Sequence, residues 1–470
     1  MNNLEDFNIY NFYDHVQDRL AKYSNELVYE SLPLDVLHHA KVRIIDTLGS
    51  LVGGFFGPPC LMSRNLASRN PDSNGASIIG TRIKTSVEMC AFANATAARY
   101  VEMNDVYHWP GSNGGHPSDV ILPLIAVAEN VGASGQDLIT SVVLAYEIYL
   151  RFSDSINHSG FDQANFASLG VAAGSAKLMG LSKIQISHAI SMVTVSSNIL
   201  GQVRTGHLSM WKALASGQAG RAGVFAANLA REGIESPHQP FEGKQGWCNH
   251  VSSATINLKE MGGNGTPFKI GDVLIKQRSS CATTISSILA AEKISDSLKN
   301  RLGDIKHVLV EVYEKAKVNM GTGEHHWNPQ SRETADHSIP YVVAATLLDG
   351  TVTPKQFDDE HLKSLVLRTL LKKIEVVENN EFTDAYERLP VLHKTRVTVV
   401  MTDGKKFVGE SGGDKGDLSN SKSDKEIEDK FFAMTQEYLG YKKVHHILDT
   451  LWDLDSMKNT SEIPSIMVFA

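Results

Sequence analysis

Residues 216–230 read S-G-Q-A-G-R-A-G-V-F-A-A-N-L-A. Small side chains recur every three or four positions, and Arg221 carries the run's only charge. Residues this small let helix axes approach closely, so the stretch predicts a central helix packed on all sides. The run A-F-A-N-A-T-A-A-R-Y at 91–100 has the same texture. Working outward, apolar periodicity predicts helices over 88–100, 121–131, 136–151, 166–179, 185–200 and 211–232. A further helix is expected at 34–52, where Leu37, Ile44, Ile45, Leu48 and Leu51 fall at helical spacing. No apolar run reaches the length a bilayer span needs. This part of the chain predicts a large all-helical domain.

Near 267 the pattern changes. P-F-K-I-G-D-V-L-I-K-Q, H-V-L-V-E-V-Y and K-K-I-E-V-V-E are short β-branched runs, and T-R-V-T-V-V-M-T-D-G-K-K-F-V-G-E predicts a hairpin turning at Asp403-Gly404. Helical stretches at 281–294, 334–348 and 359–371 lie between them, which together predict a smaller α+β domain. Helices then return at 424–438 and 441–453, after a polar loop at 412–424. The expected architecture is mainly α with an α+β second domain: 1–267 helical, 268–410 an α+β lid, and 411–470 returning to the helical domain.

The chain has 470 residues, 42% of them hydrophobic and 21% charged, which is ordinary globular composition. A net charge of −8 and the absence of a basic run argue against nucleic acid as a partner. Cys60, Cys90, Cys248 and Cys281 show no paired spacing, which fits free thiols in a reducing compartment. The opening M-N-N-L-E-D-F-N lacks a signal core, so a cytoplasmic protein without membrane contact is expected.

The chemistry concentrates in four places. E-M-N-D-V-Y-H-W-P-G-S-N-G-G-H-P-S-D-V-I-L-P, at 102–123, is a loop between two apolar helices. It holds Glu102, Asp105, His108 and His116, and loops on a rigid scaffold are where binding groups gather. Pro117 suits a first helical turn, placing His116 beside a helix start. In R-T-G-H-L-S-M-W-K, at 204–212, Lys212 stands at the head of a helix that otherwise looks buried, next to Ser209. A cation there opposes the helix dipole unless an anion lies between them. In the third stretch, Pro340 predicts a helix start flanked by His337 and Tyr341, and the tyrosine taken alone reads more readily as core with a satisfied hydroxyl than as a functional group. The fourth is Q-R-S-S-C-A-T-T at 277–284, where Arg278, Thr283 and backbone N–H groups suit a carboxylate. Adjacent His325 and His326 lack metal spacing, and nucleotide-binding glycine motifs are absent, so no metal or cofactor is expected.

Taken together, the chain resembles the MmgE/PrpD family, which includes 2-methylcitrate dehydratases and cis-aconitate decarboxylases. The resemblance is carried by the N-D-x-Y…G-H-P-S-D loop (104–119), L-S-M-W-K (208–212), F-E-G-K-Q-G (241–246) and R-E-T-A-D-H-S-I-P-Y-V-V-A-A-T-L-L-D-G (332–350). It implies a helical domain with an inserted α+β lid, a homodimer, and functional residues at His116, Lys212 and Tyr341. The Glu102–Asp105 carboxylates lie alongside, and His337 precedes the tyrosine. Decarboxylase-like members have a histidine near the position of Asp162, which tilts the reading toward dehydration.

The expected activity is metal-independent removal of water from a 2-hydroxy tricarboxylate such as 2-methylcitrate or citrate. His116 would be general base or acid, oriented by Asp105 or Glu102, whose charge would raise its pKa. Lys212 and Arg278 would pair with substrate carboxylates, with Glu102, Ser209, Thr283 and His108 as further binding groups. Tyr341, supported by His337, would donate to the leaving hydroxyl or the developing enediolate. A cis-aconitate-type decarboxylase, an epimerase of a small acid, and a non-catalytic ligand-binding protein are the alternatives.

Overall fold

The computed structural model describes residues 14–156, 160–258, 260–413 and 417–469. The opening M-N-N-L-E-D-F-N stretch and part of the 412–424 loop lie outside them. The helical domain runs α1 (His15–Glu26), α2 (Leu34–Gly54), α3 (Pro58–Ala67), a strand pair β1 (Pro71–Ser77) and β2 (Lys84–Thr85), then α4 (Val87–Tyr100). It continues through α5 (Ile121–Val131), α6 (Gly135–Ser155), α7 (Ala164–Leu178), α8 (Lys183–Ser196) and α9 (Trp211–Arg231). Helix α9 packs against α4, α7 and α8. Its glycines make that possible. A Cβ on Gly217 would lie 2.6 Å from the Phe92 carbonyl of α4, and one on Gly223 would lie 2.8 Å from the Ser168 carbonyl of α7. Among the described residues, no single helix is long and apolar enough to cross a membrane.

The second core is built on a four-stranded sheet in the order β4-β3-β5-β6: β3 (Ile305–Val312), β4 (Ile374–Glu378), β5 (Thr395–Met401) and β6 (Lys406–Ser411). β3 pairs parallel with β4 and antiparallel with β5, and β5–β6 is the expected hairpin. Helix α10 (Ile285–Leu298) packs against β5, β6 and the helix Ile339–Asp349. The helices Asp424–Leu439 and Tyr441–Trp452 return to the first core, where Ile427, Phe431, Val444 and Ile447 are buried with residues of α2.

Three local expectations change. The 267–277 run is not a strand. It forms a 3₁₀ turn at Lys269–Asp272 and one antiparallel bridge, Leu274 to Val106. Its carbonyls at Ile270 and Val273 accept from the Arg43 guanidinium at 3.2 and 2.6 Å, replacing sheet partners. Phe268, Ile270, Val273 and Ile275 pack in the helical core, while Leu418 still belongs to the second. The chain therefore changes cores later than 267 on the way out and later than 410 on the way back. Finally, the expected 334–348 helix is broken into Arg332–Ala335 and Ile339–Asp349. Ser338 caps the second piece by accepting from the Tyr341 N–H, and Asp336 and His337, in the turn between the two pieces, meet Lys212 of the first domain.

Candidate active site

The two domains meet around a cavity of about 610 Å³. The helical domain lines it with Arg99, His108, His116, Asp162 and Arg204, and the second domain with Cys281, Thr283, Lys315 and His337. Behind this wall lies a buried ion cluster centred on Glu102. Just past the end of α4, Glu102 adopts φ +54, a left-handed conformation that costs a non-glycine residue on the order of 1 kcal/mol. Its carboxylate accepts from Arg99 at 2.5 Å and Lys276 at 2.9 Å, and lies 3.3 Å from the Lys212 ammonium. Burial alone would raise the Glu102 pKa, but these three cations together hold it well below the usual carboxylate range.

Lys212 also donates to both Asp336 oxygens, at 2.7 and 2.9 Å. Asp336 in turn holds His337, whose Nδ1 is 2.5 Å from Oδ1. Burial would raise the Asp336 pKa, but Lys212 and His337 bring it below its ordinary value. Glu102, Asp336 and His337 place potential metal-ligand atoms within 4.8 Å of one another. The Lys212 ammonium bonded to both carboxylates already supplies a positive charge there, so the donor set fits an ion-pair cluster better than a cation site.

The two cavity histidines differ in environment. Nδ1 of His116 lies 2.6 Å from the Asp105 carbonyl. A carbonyl can only accept, so Nδ1 carries the proton and Nε2 is the basic nitrogen. Burial, reinforced by Arg99, pushes the His116 pKa well below 6.5, and Glu102, with Oε1 3.6 Å from Nε2, only partly opposes this. For His337, burial and Lys212 push downward, but Cys281 and Asp336 outweigh them, and its pKa is raised. Cys281 is displaced as well. Burial raises it, yet the charge and hydrogen bond of His337 bring it down to about 7.

Several expected roles are corrected. Asp105 does orient His116, but through its backbone carbonyl. Its carboxylate accepts instead from the Ser118 N–H at 3.1 Å and the Tyr146 hydroxyl at 2.8 Å. Glu102 is near His116 but does not raise its pKa to working pH. Lys212 pairs with the protein's own carboxylates. Arg278 is held by Glu292 at 2.6 and 2.9 Å, away from the cavity. The Tyr341 hydroxyl donates to the Gln356 carbonyl at 2.7 Å, and its ring stacks on Phe357, so it does not line the cavity. Ser209 is exposed and borders a separate shallow depression with His207 and Trp211. His108 and Thr283 do line the cavity, although both His108 nitrogens are engaged, by Tyr386 at 3.0 Å and His393 at 2.9 Å.

Other groups had no role on sequence grounds. Asp336 was visible as the neighbour of His337, and Arg99 lies three residues before Glu102, a spacing that pairs side chains on a helix. Nothing local marks Lys276, Arg204 or Lys315. Arg204 is held by Asp162 at 2.6 Å. Nη1 of Arg204, and Nε and Nη2 of Arg99, are buried donors with no hydrogen-bond partner among the described residues. Buried guanidinium N–H groups left without an acceptor are costly, and a carboxylate ligand would satisfy them.

With this geometry in place, the comparisons become informative. The MmgE/PrpD N-terminal domain model matches residues 18–258, and the MmgE/PrpD C-terminal domain model matches residues 279–454. Human cis-aconitate decarboxylase is 22% identical over 457 residues, covering 92% of this chain and 90% of that protein. The 2-methylcitrate dehydratase of Salmonella typhi is 24% identical over 418 residues, covering 82% and 81%. The probable 2-methylcitrate dehydratase of Saccharomyces cerevisiae is 25% identical over 410 residues, covering 79% and 75%.

Proposed function

This chain belongs to the MmgE/PrpD family, and from that premise we propose that it is a metal-independent lyase, a dehydratase of a 2-hydroxy tricarboxylate such as 2-methylcitrate or citrate. The observation that carries the reading is the opposite displacement of His116 and His337 at one cavity. Titratable groups whose surroundings push their pKa values apart can serve as base and acid at the same pH.

In this reading His116, neutral and protonated on Nδ1, takes the proton α to a substrate carboxylate through Nε2. The unpartnered donors of Arg99 and Arg204 hold substrate carboxylates and stabilise the charge that gathers as the proton leaves. His337, kept protonated, delivers a proton to the departing hydroxyl, so that water leaves and a carbon–carbon double bond remains. Lys212 and Asp336 act as positioning residues, holding the His337 ring by its Nδ1.

The near full-length match to a cis-aconitate decarboxylase favours a second reading on the same residues. A decarboxylase has only to stabilise the carbanion left by CO2 and reprotonate it, which a charged His337 could do. The test is to offer the purified protein 2-methylcitrate, citrate and cis-aconitate in turn, with a chelator present. Growth of conjugated-acid absorbance from a hydroxy acid, unchanged by chelator, is the expected result. Loss of cis-aconitate with CO2 release and no action on hydroxy acids would replace dehydration by decarboxylation.

A further inference from the structure

Among the described residues, Cys281 is the one cysteine that lines the cavity, and the proposed elimination does not use it. It stands immediately before the 3₁₀ turn Ala282–Thr284 that leads into α10, and its N–H donates to the Asp336 carbonyl at 2.9 Å. Its sulfur lies 3.2 Å from the Thr283 hydroxyl, and His337, beside it on the cavity wall, lowers the thiol pKa. His337 is in turn held at Nδ1 by Asp336. A thiol, an imidazole and a carboxylate thus stand together, with Cys281 and His337 both on the wall of the cavity and Asp336 behind the ring. This is the arrangement by which a histidine withdraws a thiol proton and a carboxylate steadies the resulting imidazolium. Among the described residues, the other three cysteines have no histidine partner of this kind. Cys60 and Cys90 are buried in the helical core, and Cys248 is half-buried with its pKa raised to about 11.

We propose that Cys281, relayed through His337 to Asp336, is a thiolate site that reacts covalently with small anionic carbon electrophiles, above all carboxylates bearing a conjugated double bond. The ligand class rests on the reading above, that this cavity takes small carboxylates, because Arg99 and Arg204 supply its unpartnered donors. In the addition, the sulfur lone pair forms a C–S bond at the β carbon. The double bond's π pair moves toward the carboxylate, and the proton that His337 took from the thiol goes to the α carbon. His337 returns to neutral, the whole acid is retained as a thioether, and no oxidant or reductant is consumed. A filled cavity would then block turnover, so accumulating unsaturated acid would switch the protein off slowly and covalently.

Iodoacetate serves as the probe, displacing iodide with the same C–S bond formation, and iodoacetamide is its uncharged counterpart. The full-length protein is labelled over pH 5.5–9 and each cysteine is followed by peptide mass mapping, with Cys248 as the internal reference. At pH 7, Cys281 should react at least about tenfold faster than Cys248, with a half-maximal rate near pH 7, and should prefer iodoacetate to iodoacetamide. His337→Gln should slow Cys281 by about tenfold and leave Cys248 unchanged. Incubation with fumarate should add the mass of the intact acid at Cys281. Cys281 labelling no faster than Cys248, or a rate indifferent to His337→Gln, would overturn the proposal. The labelling does not depend on turnover, so fast, anion-selective labelling in a protein inactive on all three acids would leave this site standing while removing the dehydratase reading.

Discussion

His116 and His337 carry the same side chain, yet the fold displaces their pKa values in opposite directions. His116 is desolvated beside the Arg99 guanidinium, and the nearest carboxylate, Glu102, is already neutralised by three cations. His337 touches a carboxylate directly, and the charge of Cys281 adds to its upward shift. The pH dependence follows with its sign. Activity should fall at acid pH as His116 protonates, at a pH below 6.5, and fall at alkaline pH as His337 loses its proton, at a pH above 6.5. A plateau in kcat/KM spanning 6.5, with both limbs, is expected from initial rates on the active substrate. His116→Gln should lower kcat by on the order of 10²–10⁴ while the far-ultraviolet spectrum and melting temperature stay close to the parent's. Turnover near the parent level would remove His116 as the base.

At the scale of the element, α9 shows what its composition is for. Gly217, Gly220 and Gly223 face Phe92 and Thr96 of α4, Pro123 of α5, and Val171 and Ser168 of α7, so one helix serves three neighbours. A Cβ at Gly217 would lie 2.4 Å from the Thr96 hydroxyl and 2.6 Å from the Phe92 carbonyl, and that backbone oxygen has nowhere to move. Gly217→Ala should therefore destabilise the protein by about 1–3 kcal/mol in chemical denaturation. The control is Gly303→Ala, where, apart from the chain neighbours, no described residue places an atom within 4 Å of the added carbon, and it should change stability by less than about 0.5 kcal/mol. The same helix begins at Trp211, which lets Lys212 reach across to Asp336 of the second domain. Close packing of α9 is thus upstream of the site.

For the whole molecule, the number of histidines buried in the neutral form sets the response to acid. Burial pushes His108 and His116 well below 6.5, and brings His326 and His393 to about 4. An unfolded chain would bind protons on these rings as pH falls through about 6.5, whereas the folded protein would not. Their contribution to stability is therefore present at neutral pH and is lost as pH drops from 6.5 toward 4. His337, with its raised pKa, works the other way, stabilising below 6.5 and losing that contribution as pH rises through its folded value. His361, also raised, and Asp119, raised to about 6 by burial, act in the same direction as His337, but the lowered rings, which also include His39, His188 and His325, outnumber them. The melting temperature should fall steadily between pH 7 and 5, before most carboxylates titrate. A flat profile across that interval would contradict the buried-neutral assignment.

Periodicity and residue size were enough to establish the helical domain, the β5–β6 hairpin and the return of the C-terminal helices, because each is a local pattern repeated over many residues. Motif order likewise marked His116, His337, Lys212 and the family. Local pattern could not say where Tyr341 and Arg278 would point, because a carbonyl at Gln356 and a carboxylate at Glu292 claim them from distant parts of the chain. Nor could it turn the 267–277 run from strand to turn, which depends on Arg43 reaching its carbonyls. The pKa of a buried ring is set by the charges packed around it, and here these come from segments more than a hundred residues apart, such as Lys212 and Asp336, with |i−j| of 124. Which histidine is pushed below its ordinary pKa and which above it was therefore decided only when the two domains closed on one cavity.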